Sequence, residues 1–532
     1  MPLRDVVSNR FRSLFVLLTS VLVGAGSPAK AADQLIVRLD GFSLPIDIGQ
    51  LEAWSRDPSV RSNDLGVWFE LLDPRSREDL RRLMRTPILE ERDLALQLIQ
   101  SWAGRQVLEE MGALLSTDQS GSGVLLVNTL RGLLQRPEPV TPLSLLRAVP
   151  APRLTLEVDE VLALAQQWRR QVERQGQALR QLRQLPLPLT PTPNPALAPA
   201  HLPAGAVPTP LVLQLAVTHR PDPLMIELWE AVAPRRDAYV LVMPGLGSSG
   251  DQLAWLARGL AERGYPVLVI NDPSSDDDVV RQLLDGQRPP PGAETLPARL
   301  ADVEAVLKAE QDGQLPPLGS SAVLLGHSLG GLAALMAGGA RPVAGLEHRC
   351  KRAMKGIPLN NLSWLLQCQL PEVPLPEVGS GDGRDPVAAV VSFNGFGSLL
   401  WPGRGLNRLN GTPLLMVGGG LDLVTPPVGE QLELFLQHHN PRSRLVMVEG
   451  GSHFSVVRLG EGNPALLQLG QELVGVEPRQ VQELLLNLTA DFLGSLDRSA
   501  ALLPSQQRLQ GTVRAYVLDR AAARRWHRRL DG

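Results

Sequence analysis

Four kinds of hydrophobic pattern follow one another along the chain. Arg4, Arg10 and Arg12 precede an apolar run from Leu14 to Ala25, after which Ala29-Lys30-Ala31 places small residues at the positions read by a signal peptidase. A helix of twelve residues rises about 18 Å, against about 30 Å for a bilayer core, so the run predicts a cleaved signal peptide over 1–31 rather than a membrane anchor. From Asp33 to Leu185 the pattern is mostly helical, after an alternating stretch Leu35–Leu39 compatible with a strand. Thr86-Pro87 reads as an N-cap and first helical position opening a run through Leu115. Val161, Leu164, Trp168, Val172, Leu179 and Leu182 fall on one helical stripe. These signals predict a small helical domain over 32–185.

Nine prolines between Pro186 and Pro210 then interrupt the pattern and predict an extended interdomain linker over 186–210. Beyond it the period changes. Short β-rich runs at Leu211–Val217, Met225–Trp229 and Tyr239–Met243 alternate with amphipathic stretches, which predicts an α/β domain over 211–497, a mostly parallel sheet with helices on both faces. A helix around Val481–Leu496 closes that domain in this reading. Arg520, Arg524, Arg525, Arg528 and Arg529 around Trp526 make 498–532 a solvated tail. The irregular stretch 341–385 is expected to form a cap over the site.

Composition narrows the partners. A net charge of −3 with 4% aromatic residues gives no basic footprint for nucleic acid. No apolar stretch after the leader is long enough to span a membrane, so a soluble protein exported to the envelope or the medium is expected. Two cysteines occur, Cys350 and Cys368; outside the cytoplasm a disulfide between them is expected, two buried thiols being the alternative. Their spacing matches no zinc or thioredoxin motif. Asp276-Asp277-Asp278 lacks further ligands at metal spacing and reads as a solvated loop. No metal and no cofactor are expected.

The candidate chemistry lies in the second half. The apolar strand Ala322–Leu325 runs into Gly326-His327-Ser328-Leu329-Gly330-Gly331 and then into helix-forming Leu332–Met336, the strand, turn and helix context that gives a G-x-S-x-G serine its exposure. A serine hydroxyl needs a base, and in this arrangement acid and histidine follow it in order. The strand Pro413–Val417 ends at Gly420-Leu421-Asp422, and Leu445–Val448 leads through a turn to His453. Ser328 is therefore the expected nucleophile, His453 the base and Asp422 the acid that orients it. Backbone N–H groups of Leu329 and of Leu246, in Pro244-Gly245-Leu246-Gly247, are the expected donors to an oxyanion.

With Asn271-Asp272-Pro273 and Ser452-His453-Phe454, these motifs make residues 211–497 resemble the α/β-hydrolase superfamily. The likeness is to exported cyanobacterial proteins labelled predicted dienelactone hydrolases, which also resemble platelet-activating-factor acetylhydrolases. The region from Arg38-Leu39-Asp40-Gly41-Phe42 is similar to the uncharacterised helical domain that precedes the hydrolase domain in such proteins. The resemblance implies an esterase or lipase-like serine hydrolase acting on a small-molecule ester or lipid. Two departures stand out: dienelactone hydrolases use cysteine where this chain has Ser328, and the frequent His-Gly before the oxyanion residue is Pro244-Gly245 here. An acyltransferase using the same residues and a non-catalytic envelope binding protein are the alternatives.

Overall fold

The computed structural model describes residues 32–57, 69, 73–88, 92–118, 122–190, 208–232, 234–376, 387–403, 405–409, 411–458, 475, 477–497 and 499–530. The expected signal peptide and most of the expected linker, 191–207, lie outside the described residues. The chain divides into two compact units, one of residues 1–92 and 108–161, the other of 93–107 and 162–532.

The first unit is helical, as its pattern predicts, and also holds a four-stranded sheet. Strands β1 (Gln34–Leu39) and β2 (Phe42–Asp47) form a hairpin; β3 (Leu115–Thr117) pairs antiparallel with β4 (Arg153–Glu157), which lies parallel to β1. Helices Ile48–Arg56, Ser122–Leu134 and Pro142–Ala148 contribute Leu51, Trp54, Leu126, Leu143 and Leu146 to its core with Leu35 and Leu154 of the sheet. Thr86 corrects the sequence reading: it is the C-cap of helix Pro74–Arg85, its N–H bonding Arg82 O at 2.9 Å. Proline at 87 pushes the residue before it out of the helical region, and Asp73 with Pro74 supplies the start signal one helix earlier.

The second unit is built on an eleven-stranded sheet among the described residues. Its strands are β5 (Leu189–Thr190), β6 (Leu211–Leu215), β7 (Leu224–Trp229), β8 (Ala238–Met243), β9 (Val267–Ile270), β10 (Ser321–His327), β11 (Val387–Phe393), β12 (Leu414–Gly419), β13 (Arg444–Val448), β14 (Gln506–Gln510) and β15 (Val513–Leu518). Their order is β5-β14-β15-β13-β12-β11-β10-β8-β9-β7-β6. The six strands from β13 to β9 are mutually parallel, and antiparallel pairs flank them on both sides. Alternation along each strand assigns its two faces: Tyr239, Leu241, Ala322 and Leu324 join one core, Val240, Val242, Val323 and Leu325 the other.

The helices of this unit used below are α1 (Val158–Arg183, of which residues 162–183 belong here), α2 (Ala254–Ala261), α3 (Leu296–Gln311), α4 (Leu329–Ala337), α5 (Leu346–Ala353), α6 (Ser363–Gln369), α7 (Pro478–Gly494) and α8 (Arg520–Leu530). α3, α4, α8 and the end of α1 cover the first core; α2 and α7 cover the second. The mostly parallel sheet with helices on both faces is what the strand and helix alternation predicts, and the fold is the α/β-hydrolase fold that the motif resemblance implies. Strand order reverses beside β8, with β9 on one side and β10 on the other, so the crevice at the carboxyl ends of β8 and β10 is where such sheets place their chemistry.

Three boundaries differ from the sequence reading. Residues 499–530 are no tail: β14 and β15 extend the sheet from β13, and α8 buries Ala522, Ala523 and Trp526. The apolar stripe of α8 is only three side chains wide and is outnumbered by arginines, which hides it in the sequence. Residues 162–185, expected in the helical domain, belong to the second unit, where Ala178, Leu182 and Leu185 are core residues. The start of the expected linker is paired chain, since β5 lies against β14 and Gln507 N–H bonds Pro188 O at 2.7 Å. Within the expected cap, described to residue 376, α5 and α6 carry Cys350 and Cys368, joined as a disulfide with Cα atoms 5.3 Å apart.

Candidate active site

The strand β10 delivers Ser328 on a turn that most residues avoid. Ser328 has φ 53° and ψ −118°, an unfavourable region for a side chain with a β-carbon, and its N–H is pinned to Phe393 O of β11 at 2.8 Å. The turn closes only around glycine. A β-carbon on Gly326 would stand 2.0 Å from Gly330 O, and one on Gly330 would stand 2.2 Å from Met243 O. Ser328 is the N-cap of α4, so the N–H of Leu329 is a first-turn donor without a partner inside the helix.

Two loops converge on that hydroxyl. Ser328 Oγ lies 2.9 Å from His453 Nε2, and His453 Nδ1 lies 2.9 Å from Asp422 Oδ2. The carboxylate takes the proton on Nδ1, which leaves Nε2 to accept from the serine hydroxyl. Asp422 is fully buried on the loop after β12. Burial opposes its charge, but the His453 charge and hydrogen bond and donors from Thr425 outweigh burial and hold its pKa below the usual carboxylate value. Those donors include Thr425 N–H at 2.8 Å and Thr425 Oγ1 at 2.6 Å; Val424 N–H at 2.9 Å and Asn394 Nδ2 at 2.5 Å complete the set. The His453 imidazole is thus flanked by a fixed acceptor and a fixed donor, a geometry in which one proton can pass between Oγ and Nε2.

Ser328, Asp422 and His453 therefore stand together as their order in the chain predicts, and Leu329 stands beside them. Leu246 lies on the loop that leaves β8, next to β10 in the sheet. A β-carbon on Gly245 would be 3.3 Å from Ser328 Cβ, so this loop passes directly over the elbow. Cys350 and Cys368 lie apart, linking α5 to α6; the Ser363 N–H that starts α6 bonds Val424 O of the acid loop at 2.9 Å. Among the described residues, no group of three His, Cys, Asp or Glu side chains is placed to hold a metal ion.

Sequence reasoning missed the residues that steady this arrangement, some close in the chain and some far away. Asn394 and Thr425 bracket the Asp422 carboxylate. Gln175 of α1, itself buried, donates its amide to Asp422 O at 2.6 Å. His327, beside Ser328, places Nε2 at 3.0 Å from His453 O. Burial, reinforced by the His453 charge, pushes its pKa down to about 3, so it is neutral and donates to that carbonyl.

Unfolding would return His327 to about 6.5. Between those values the unfolded chain binds the extra proton, so stability falls as pH drops through 6.5 toward 3, by at most about 1.4 kcal/mol per pH unit. His438, pushed down to about 4 mainly by burial, adds to the same slope. Thermal unfolding followed from pH 7 to 4.5 should show a steady loss, and His438→Gln should flatten it. An unchanged slope in that variant would count against burial as the cause.

Residues 31–157 match a family model described as "Alpha/beta hydrolase of unknown function (DUF1400)". The matched stretch precedes Ser328, so it bears on the chain's kinship and not on the site. No curated protein matches the chain.

Proposed function

We propose that this chain is a serine hydrolase that cleaves a carboxylic ester of lipid-like character through an acyl-enzyme on Ser328. The observation that carries the reading is the continuous hydrogen-bonded line from Ser328 Oγ through His453 to Asp422, set at a strained turn where the strand order reverses. His453 Nε2 takes the hydroxyl proton as Oγ bonds to the carbonyl carbon. The N–H groups of Leu246 and Leu329 receive the charge that develops on the carbonyl oxygen. His453 then returns the proton to the departing alkoxide, and water repeats the sequence to free the acid. Apolar side chains at Leu246, Leu421 and Phe454, next to the three loops, suit an acyl chain. Export fits the Cys350–Cys368 disulfide, a bond favoured in oxidising compartments.

A fluorophosphonate probe together with p-nitrophenyl esters of graded chain length tests this. The wild type should label at Ser328, release free acid and prefer acyl chains longer than acetyl. Absence of label on the wild type, or equal label on Ser328→Ala, would sink the proposal.

A further inference from the structure

The loop that carries Leu246 is gripped from beneath by a buried cation. Arg299 of α3, 4% exposed, donates through Nη1 to Pro244 O at 2.6 Å and through Nη2 to Gly245 O at 3.1 Å. The same guanidinium contacts Ser275 Oγ and pairs through Nε with Asp272 Oδ2 at 2.9 Å. Asp272 is held in turn by the hydroxyls of Ser274 and Ser275 and by Arg220, which also pairs with Asp302. Gly247 N–H bonds Ser275 O at 2.7 Å, so the loop and its support form one unit.

Gly245 O and Leu246 N–H belong to one peptide group. In a planar trans peptide the two point in opposite directions, so a cation fixed on the carbonyl side turns the N–H toward the other side, over the elbow. Among the described residues no acceptor takes that N–H. A charged donor on the carbonyl also draws electron density to oxygen and strengthens the N–H as a donor, more so away from water. An apolar side chain would pack this position without the desolvation cost of a buried ion pair. The presence of a guanidinium on two carbonyls of the loop therefore needs a further reason.

We infer that Arg299 is a positioning residue that aims and polarises the Leu246 N–H toward the oxygen of the reacting carbonyl, with Asp272 fixing the guanidinium. The inference rests on the serine-hydrolase reading above and adds the source of its oxyanion donor's orientation. It concerns how strongly charge on oxygen is stabilised, not how substrate is bound.

Two variants test it on a matched pair of substrates, a p-nitrophenyl ester and its thionoester, in which charge develops on sulfur, a weak hydrogen-bond acceptor. Arg299→Lys keeps the cation beside Asp272 but cannot fork onto two carbonyls. Arg299→Met with Asp272→Asn removes the pair together, leaving no orphaned charge between them. For the oxygen ester kcat should fall about 100-fold at unchanged KM, the scale of one lost oxyanion donor. Turnover of the thionoester should fall much less, shrinking the preference for oxygen over sulfur about tenfold or more. Equal losses on both esters would assign Arg299 to packing and overturn the inference, as would undiminished kcat; either result leaves the hydrolase reading standing. A wild type that turns over neither ester and takes no fluorophosphonate label overturns both. Arg299→Lys decides the matter even where the uncharged pair does not fold.

Discussion

Replacing His453 with alanine is expected to lower kcat by about 10⁶, measured under saturating p-nitrophenyl ester, while thermal stability changes little by comparison. The size follows from the geometry. Ser328 Oγ has its hydrogen bond to His453 Nε2 at 2.9 Å, and a hydroxyl without a base is a weak nucleophile. Ser328→Ala should cost about as much, and the double variant no more than either single one, because the two act as a unit. Asp422→Asn should cost less, about 10⁴, by turning the imidazole to the wrong tautomer while the surrounding donors stay in place. Additive losses in the Ser328/His453 pair would mean that the two side chains do not share one step.

The second large effect is on folding. A chain that begins at Leu211, where the sequence pattern places the start of the α/β domain, should fail to give a cooperative thermal transition. Such a cut removes Ala178, Leu182 and Leu185 from the core and leaves Trp526 uncovered, its Nε1 bonded in the intact chain to Ala178 O at 3.0 Å. Burying a leucine contributes about 1.5–3 kcal/mol, so two leucines and the cover over a fully buried tryptophan approach the total stability of about 5–15 kcal/mol typical of a domain. The cut also removes Gln175, the amide that steadies the acid loop. Circular dichroism and a melting curve, compared with the full-length chain, read the result. A shortened chain that melts sharply at the same temperature would show that this helix is dispensable.

What the sequence discloses and what it hides have a common physical origin. Ser328, Asp422 and His453 are each announced locally, by a strand that ends in a glycine-rich turn, and their order does the rest. The fold class is legible for the same reason, since period-2 and period-3.6 runs alternate over short distances. Asn394, Gln175 and Arg299 carry no such local sign, and Thr425, on the same loop as Asp422, reads as an ordinary turn residue. The other three reach the site from other segments, and an asparagine after a strand or an arginine inside a helix looks like any surface residue until the chain is folded. The last thirteen residues mislead for a different reason: five arginines set the character of the segment, yet burial is decided by Ala522, Ala523 and Trp526 on its narrow inner face. Residues 162–185 mislead because one continuous helical stripe gives no mark where membership passes from one unit to the other.

The two ends of the proline-rich segment fix a tether length. β5 and β6 are the opposite edges of the same sheet, so Thr190 and Leu211 stand ten interstrand gaps apart. Ten interstrand gaps of about 4.8 Å amount to roughly 48 Å, and 211 − 190 = 21 peptide steps reach at most about 70–75 Å when extended. The slack is therefore about six or seven residues. Insertions are tolerated by this geometry, whereas deletions beyond that margin would draw the two edges toward each other and strip one of the outer strands, which sets a lower bound on how short this stretch can become.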